Sequence, residues 1–176
     1  MHTIGSQYRN QNWRSHMADC LVYWQRYWRD VDDLSEDSEE YREKANAHWA
    51  TRNEKFRRQA KSRDSLWVVV WAGKKYPNEW RLLQRIYLRE RPKLDRSLPS
   101  DYGEYHVDGD PRKSQLFRRE GQIDFTPMPH KLTFRTGKKI AVKGRRIGNC
   151  IETIRPLSDS DVVLLQKYER KLKKIR

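Results

Sequence analysis

Apolar residues in this chain gather into a few short, strongly patterned stretches separated by long charged ones. The first, within 19–28 (DCLVYWQRYW), holds a continuous run at 20–24 that predicts a buried strand. Trp24, Arg26 and Trp28 alternate beyond it and would share one face if the strand continued. From about Ser38, the residues Tyr41, Ala45, Trp49, Asn53 and Phe56 recur at intervals of three to four with no Pro or Gly between them. That spacing predicts a single helix with Trp49 and Phe56 turned inward. Residues 66–71 (LWVVVW) are β-branched at the centre and aromatic at the flanks, which predicts a strand buried on both faces. A turn at 74–79 (KKYPNE) leads to a second long strand at 80–90 (WRLLQRIYLRE), so the two strands form a hairpin.

Beyond the hairpin, 91–102 reads as a loop bearing Pro92 and Pro99, 103–107 as a short strand and 108–111 (DGDP) as a tight turn. Residues 114–118 stay open between strand and helical turn. Pro127 and Pro129 argue against regular structure, 131–135 (KLTFR) alternates as a strand, and 137–146 (GKKIAVKGRR) is a basic loop. One or two apolar helical turns follow at 147–154. Ser158 and Asp161 have capping-box spacing, and Val162, Leu165, Tyr168 and Leu172 mark one face of a terminal helix with a solvated, fraying basic tail at 170–176. There is no internal repeat, no linker and no regular βαβ spacing. The expectation is an α+β fold, a mixed and strongly curved sheet with helices around it, in one domain at 19–176 after an N-terminal extension at 1–18.

Charge narrows the function. The chain carries 38 Lys and Arg against 24 Asp and Glu, a formal net charge of +14. Residues 30–43 hold eight carboxylates against Arg42 alone, a local net of −7 that leaves +21 on the rest. Such a field attracts polyanions, and counterion release makes DNA or RNA the expected partner; a merely solubilising surface is the alternative. Seven Trp are more than a core of this size needs, so some are candidates for a recognition surface. Cys20 and Cys150 read as buried, reduced thiols. No stretch is apolar enough for a membrane span, and 1–15 lacks the apolar segment of a signal peptide, so the expectation is a cytoplasmic protein with no membrane partner.

The order of signals, DSLWVVVW, then EWRLLQRIYL, then KLTFR and a capped terminal helix, resembles the PUA-like superfamily, which includes the EVE, YTH and ASCH domains. The resemblance covers about residues 19–172 and departs from the family where Ser65 stands in place of a frequent Gly. It implies a small closed β-barrel of about five to six strands with flanking helices, and a pocket that accepts a modified or flipped nucleobase between aromatic walls. Trp24 and Trp28 are the stacking residues it implies. Trp49 and Trp71 join them on geometric grounds, with core packing open for all four, whereas Trp67 and Trp80 are assigned to the core and Trp13 to one end of the sheet. Asn46 and Asn53, with Asn10 and Asn12, are candidates for reading a base edge. Arg57 and Arg58 at the basic end of the helix, and Lys138, Lys139, Lys143, Arg145 and Arg146 of the basic loop, are candidates for holding phosphates, although the first two also suit the helix dipole.

Recognisable catalytic chemistry is missing. His2, His16, His48, His106 and His130 lie far apart, neither Cys has zinc spacing, and no P-loop, GxSxG or GxGxxG occurs, so no metal, cofactor or catalytic residue is expected. ASCH relatives imply one alternative, a nuclease or hydrolase on nucleic acid, with Tyr102, His106 and Asp108 as a dispersed site. A subunit of a defence or phage system, meeting a protein partner through 30–43, is the other.

Overall fold

A computed structural model describes residues 19–175 except 32, 98–102, 104, 145, 152 and 153, and leaves the side chains of Trp28, Arg29 and Gln59 undescribed. The candidates Trp13, Asn10, Asn12, Tyr102 and Arg145 fall outside the described residues. In chain order the elements are β1 (Cys20–Tyr23), α1 (Tyr27–Val31), α2 (Glu39–Ala45), β2 (His48–Thr51), α3 (Lys55–Gln59), β3 (Ser65–Trp71), β4 (Trp80–Tyr87), β5 (Lys93–Leu94), β6 (Tyr105–Asp108), β7 (Gln115–Phe117), α4 (Pro127–Lys131), α5 (Arg146–Ile151), β8 (Arg155–Pro156), α6 (Asp159–Glu169) and β9 (Lys174–Ile175).

The fold is α+β, built on a six-stranded sheet in the order β8-β1-β3-β4-β7-β9 and a three-stranded sheet β2-β6-β5. The hairpin of β3 and β4 is its spine: Trp71 pairs with Trp80 and Ser65 with Tyr87, and a bulge at Val68/Val69 bends the ladder. β1 runs parallel to β3. The bridge of Leu88 to Gly109 carries the end of β4 onto the second sheet. Gly109 is required there, because a Cβ would overlap Ile86 Cγ2. Among the described residues the pairing does not close into a barrel.

The large sheet is buried on both faces, as continuous apolar runs require. One face presents Leu21, Trp67, Val69, Trp80 and Leu82 to a core completed by residues of α5, α6 and the basic loop, among them Ile147, Leu165 and Ile140. The other presents Cys20, Val22, Leu66, Val68 and Ile86 to Trp49, Phe56 and Val107. Tyr27 and Val31 of α1, with Tyr41 and Ala45 of α2, pack beside Val70 and Leu83. Neither Cys is in a disulfide, Cys20 being buried and Cys150 half-buried, and no helix among the described residues is long and apolar enough to cross a membrane.

Several local expectations change. The first strand ends at Tyr23, so Trp24, Arg26 and Trp28 do not alternate along it; the chain turns directly into α1. The single helix expected from Ser38 is three elements, α2, β2 and α3, because Ala47 takes φ +55° and gives its N–H to the Gln84 side chain at 3.1 Å. Pro127 and Pro129 lie inside α4, where Pro127 occupies the first turn and removes an N–H that has no intrahelical partner anyway. The strand expected at 131–135 is absent: the N–H groups of Thr133 and Phe134 go to the Asp161 carboxylate at 2.9 and 2.8 Å. The basic tail forms β9 against β7. The capping box of α6 stands, with Ser158 and Asp161 each accepting from the other's backbone N–H.

Candidate functional site

Where β1 exits, the chain has just left the sheet and β2 crosses in front of it, enclosing a cavity of about 800 Å³. That lies in the range of about 300–1,000 Å³ occupied by small-ligand sites. Tyr23 at the end of β1, residues 24–26 after it, α1, the end of α2, β2 and β6 all contribute to its lining.

Two indoles reach it from separate elements. Trp24 is half-buried; its backbone N–H continues the pairing to Val69 O at 3.0 Å, and its Nε1–H donates to Asp30 Oδ2 at 3.1 Å. Tyr27 packs edge-on against it with ring centres 5.6 Å apart. Trp49 is 5% exposed and stands edge-on to Phe56 at 4.9 Å, so it supports the wall and offers the cavity little more than an edge. Its Nε1–H is buried and has no hydrogen-bond partner among the described residues.

The placement of β2 rests on one buried side chain. Gln84, fully buried on β4, accepts the Ala47 N–H at 3.1 Å and donates to His48 O at 3.0 Å, while Gly109 N–H bonds Ala47 O at 2.8 Å. β2 then pairs antiparallel with β6, His48 opposite Asp108 and Ala50 opposite His106. Period-two alternation therefore sets His48, His106 and Asp108 on one side of this small sheet and Trp49 with Val107 on the core side. The imidazoles of His48 and His106 lie 5.5 Å apart, His48 Nδ1 is 3.5 Å from Asp108 Oδ1, and His106 Nε2 donates to Gly103 O at 3.0 Å. Burial, joined by the neighbouring His106, holds His48 below its ordinary value against the pull of Asp108. Gly103 sits at φ +99° so close to β2 that a Cβ would meet Thr51 C at 2.6 Å.

Asn53 lines the cavity, with its Oδ1 accepting the Lys55 N–H at 3.0 Å at the start of α3. Asp95 accepts from both the backbone and the hydroxyl of Ser97, which holds its carboxyl below the ordinary range.

Of the six base-binding candidates, the structure brings Trp24, Trp49 and Asn53 together at this cavity. Asn46 caps α2 and faces a separate shallow depression with Glu39, Arg42 and Glu43. Trp71 is on the opposite face of the hairpin, with Nε1–H donating to Pro77 O at 2.8 Å. The backbone of Trp28 is in α1, and its side chain lies outside the described residues. Arg57 and Arg58 are exposed on α3, the helix that Phe56 ties to Trp49; Arg58 also pairs with Glu54 at 3.3 Å. Lys138, Lys139, Lys143 and Arg146 are exposed too, but their loop packs through Ile140 and Gly144, whose carbonyl accepts Trp80 Nε1–H at 3.1 Å, on the far side of the hairpin.

The acidic segment is partly used inside the molecule. Glu36 accepts the N–H groups of Arg119 and Glu120 at 2.9 and 3.4 Å, and Asp37 pairs with Arg118; Asp33, Glu39, Glu40 and Glu43 remain exposed. Sequence reasoning did not single out Asp30, His48, Arg52 or Asp95, because the pairing that gathers them was hidden inside a helical period. No family model matches the chain, and no curated protein matches it.

Proposed function

We propose that this protein binds nucleic acid and receives one nucleobase, extruded from its strand, in the cavity beneath Trp24. The observation that carries this is the cavity itself, of about 800 Å³, where a partly buried indole anchored by Asp30 meets hydrogen-bonding groups on β2 and β6 in a chain of net charge +14. An extruded base needs a π-face to stack on, polar groups for its edge and cations for the displaced backbone. Arg57 and Arg58, beside the cavity on α3, are the nearest of the predicted phosphate contacts. A PUA-like architecture is part of the proposal, supported by the parallel β1–β3 pair, the bulged hairpin and the bridge onto β2-β6-β5.

Replacing Trp24 with Ala tests it. Base stacking is worth about 1–3 kcal/mol, so W24A is expected to lose roughly tenfold or more in affinity for a short single-stranded oligonucleotide, whereas Trp24→Phe retains most of it. Equal affinity for wild type and W24A, in a variant with unchanged circular dichroism, would overturn the assignment.

A further inference from the structure

The charge of the cavity runs against that of the protein. Four carboxylates, Asp30, Glu43, Asp95 and Asp108, line it. Three cations, Arg26, Lys44 and Arg52, stand against them, and Lys44 Nζ bonds the Glu40 carboxylate at 2.7 Å. On a chain of net charge +14, this is a place where the sign reverses. Phosphates therefore belong on the rim and the surface, and the interior favours a group that is neutral or positive.

The indole makes the choice sharper. Asp30 accepts the Trp24 Nε1–H at 3.1 Å, and an anionic acceptor on that N–H pushes electron density into the ring and strengthens its attraction for a cation on its face. The same carboxylate lies at the edge of the ring, so a planar cation stacked on Trp24 gains a cation–π contact and an opposite charge together. Asp95 and Asp108 provide further negative charge, Asp108 with a side chain 74% exposed. His48, held below its ordinary value, adds no compensating charge at neutral pH.

Resting on the nucleobase reading above, we infer that the base this cavity selects is one carrying a formal positive charge, an N-methylated base such as 1-methyladenine or 3-methylcytosine. Neutral isomers isolate charge from size: N6-methyladenine and 5-methylcytosine have the same added methyl group without the charge.

The test is a set of short oligonucleotides, each with a single 1-methyladenine, N6-methyladenine, 3-methylcytosine or 5-methylcytosine, titrated against the full chain at neutral pH by tryptophan fluorescence and calorimetry. The cationic member of each pair is expected to bind about tenfold more tightly than its neutral isomer, as a cation–π contact of 1–2 kcal/mol with a carboxylate beside it implies. Asp30→Asn should shrink that ratio toward one. Asp108→Asn, at an exposed position, provides a second reading should Asp30→Asn fail to fold. Equal binding of both isomers that still depends on Trp24 would overturn the inference and leave the nucleobase site standing. Absence of Trp24-dependent binding for all four would overturn the nucleobase site as well.

Discussion

At the scale of single residues, the cavity depends on side chains that replace missing backbone partners. Gln84 is the clearest: its amide satisfies Ala47 N–H and His48 O where the left-handed turn at Ala47 breaks α2 from β2. Gln84→Leu keeps the volume and removes both bonds, taking the partner from the buried Ala47 N–H and from the partly buried His48 O. It is expected to cost about 2–3 kcal/mol in chemical denaturation, and to weaken base binding by more than the unfolded fraction explains, because His48 and Trp49 both follow Ala47. Unchanged stability would show that the turn holds without this amide. Trp24 and Trp49 illustrate what sequence can and cannot convey at this scale. Trp24 was legible as a large aromatic at a strand exit and Trp49 as an inward-facing aromatic on a helix, but that both line one cavity depends on β2 pairing with β6.

At the scale of elements, the hairpin of β3 and β4 was legible because six consecutive apolar residues need burial on both faces. The segment 38–59 was not. Tyr41, Ala45, Trp49 and Phe56 have helical spacing and are all buried, yet Trp49 reaches the core from a strand whose partner, β6, lies far along the chain. Local periodicity reports which residues go inward, and here a distant strand decided how. The missing strand at 131–135 has the same origin, since Asp161 at the start of α6 takes the N–H groups that a ladder would have used.

Asp161 also gives this element a pH signature. Burial works to raise its carboxyl, but hydrogen bonds from Thr133, Ser158 and Phe134 prevail and hold it below the ordinary value. A lowered folded value means that the unfolded chain binds the proton more readily, so the contribution to stability is complete above the unfolded value near 4 and is lost as pH falls through the folded one. Asp161→Asn is expected to cost about 2 kcal/mol at neutral pH, with the difference from wild type shrinking below pH ~4. A difference independent of pH in thermal or urea unfolding would contradict the ionised cap.

At the scale of the whole molecule, the six-stranded sheet separates two basic surfaces. Arg57 and Arg58 flank the cavity on α3, whereas Lys138 and Lys139 ride on a loop packed against the opposite face. A short oligonucleotide with one base in the cavity can reach only the first. The double variant R57A/R58A is therefore expected to flatten the dependence of log affinity on log salt by about 1–2, near 0.7 per single-strand phosphate. K138A/K139A should leave it unchanged for a strand of about six nucleotides; the reverse pattern would move the backbone path to the loop side. Charge composition suggested nucleic acid as the partner proposed here, and the sheet topology divides the candidate cations between two faces.

The most direct measurement of the central claim is the affinity of the full chain for matched oligonucleotides, plain and carrying a single methylated base, at low and high salt. The account predicts a difference between bases that survives high salt and disappears in W24A, over a nonspecific component that salt removes. Binding that is identical for every base and lost entirely to salt, or no binding at all, would contradict a nucleobase site at Trp24.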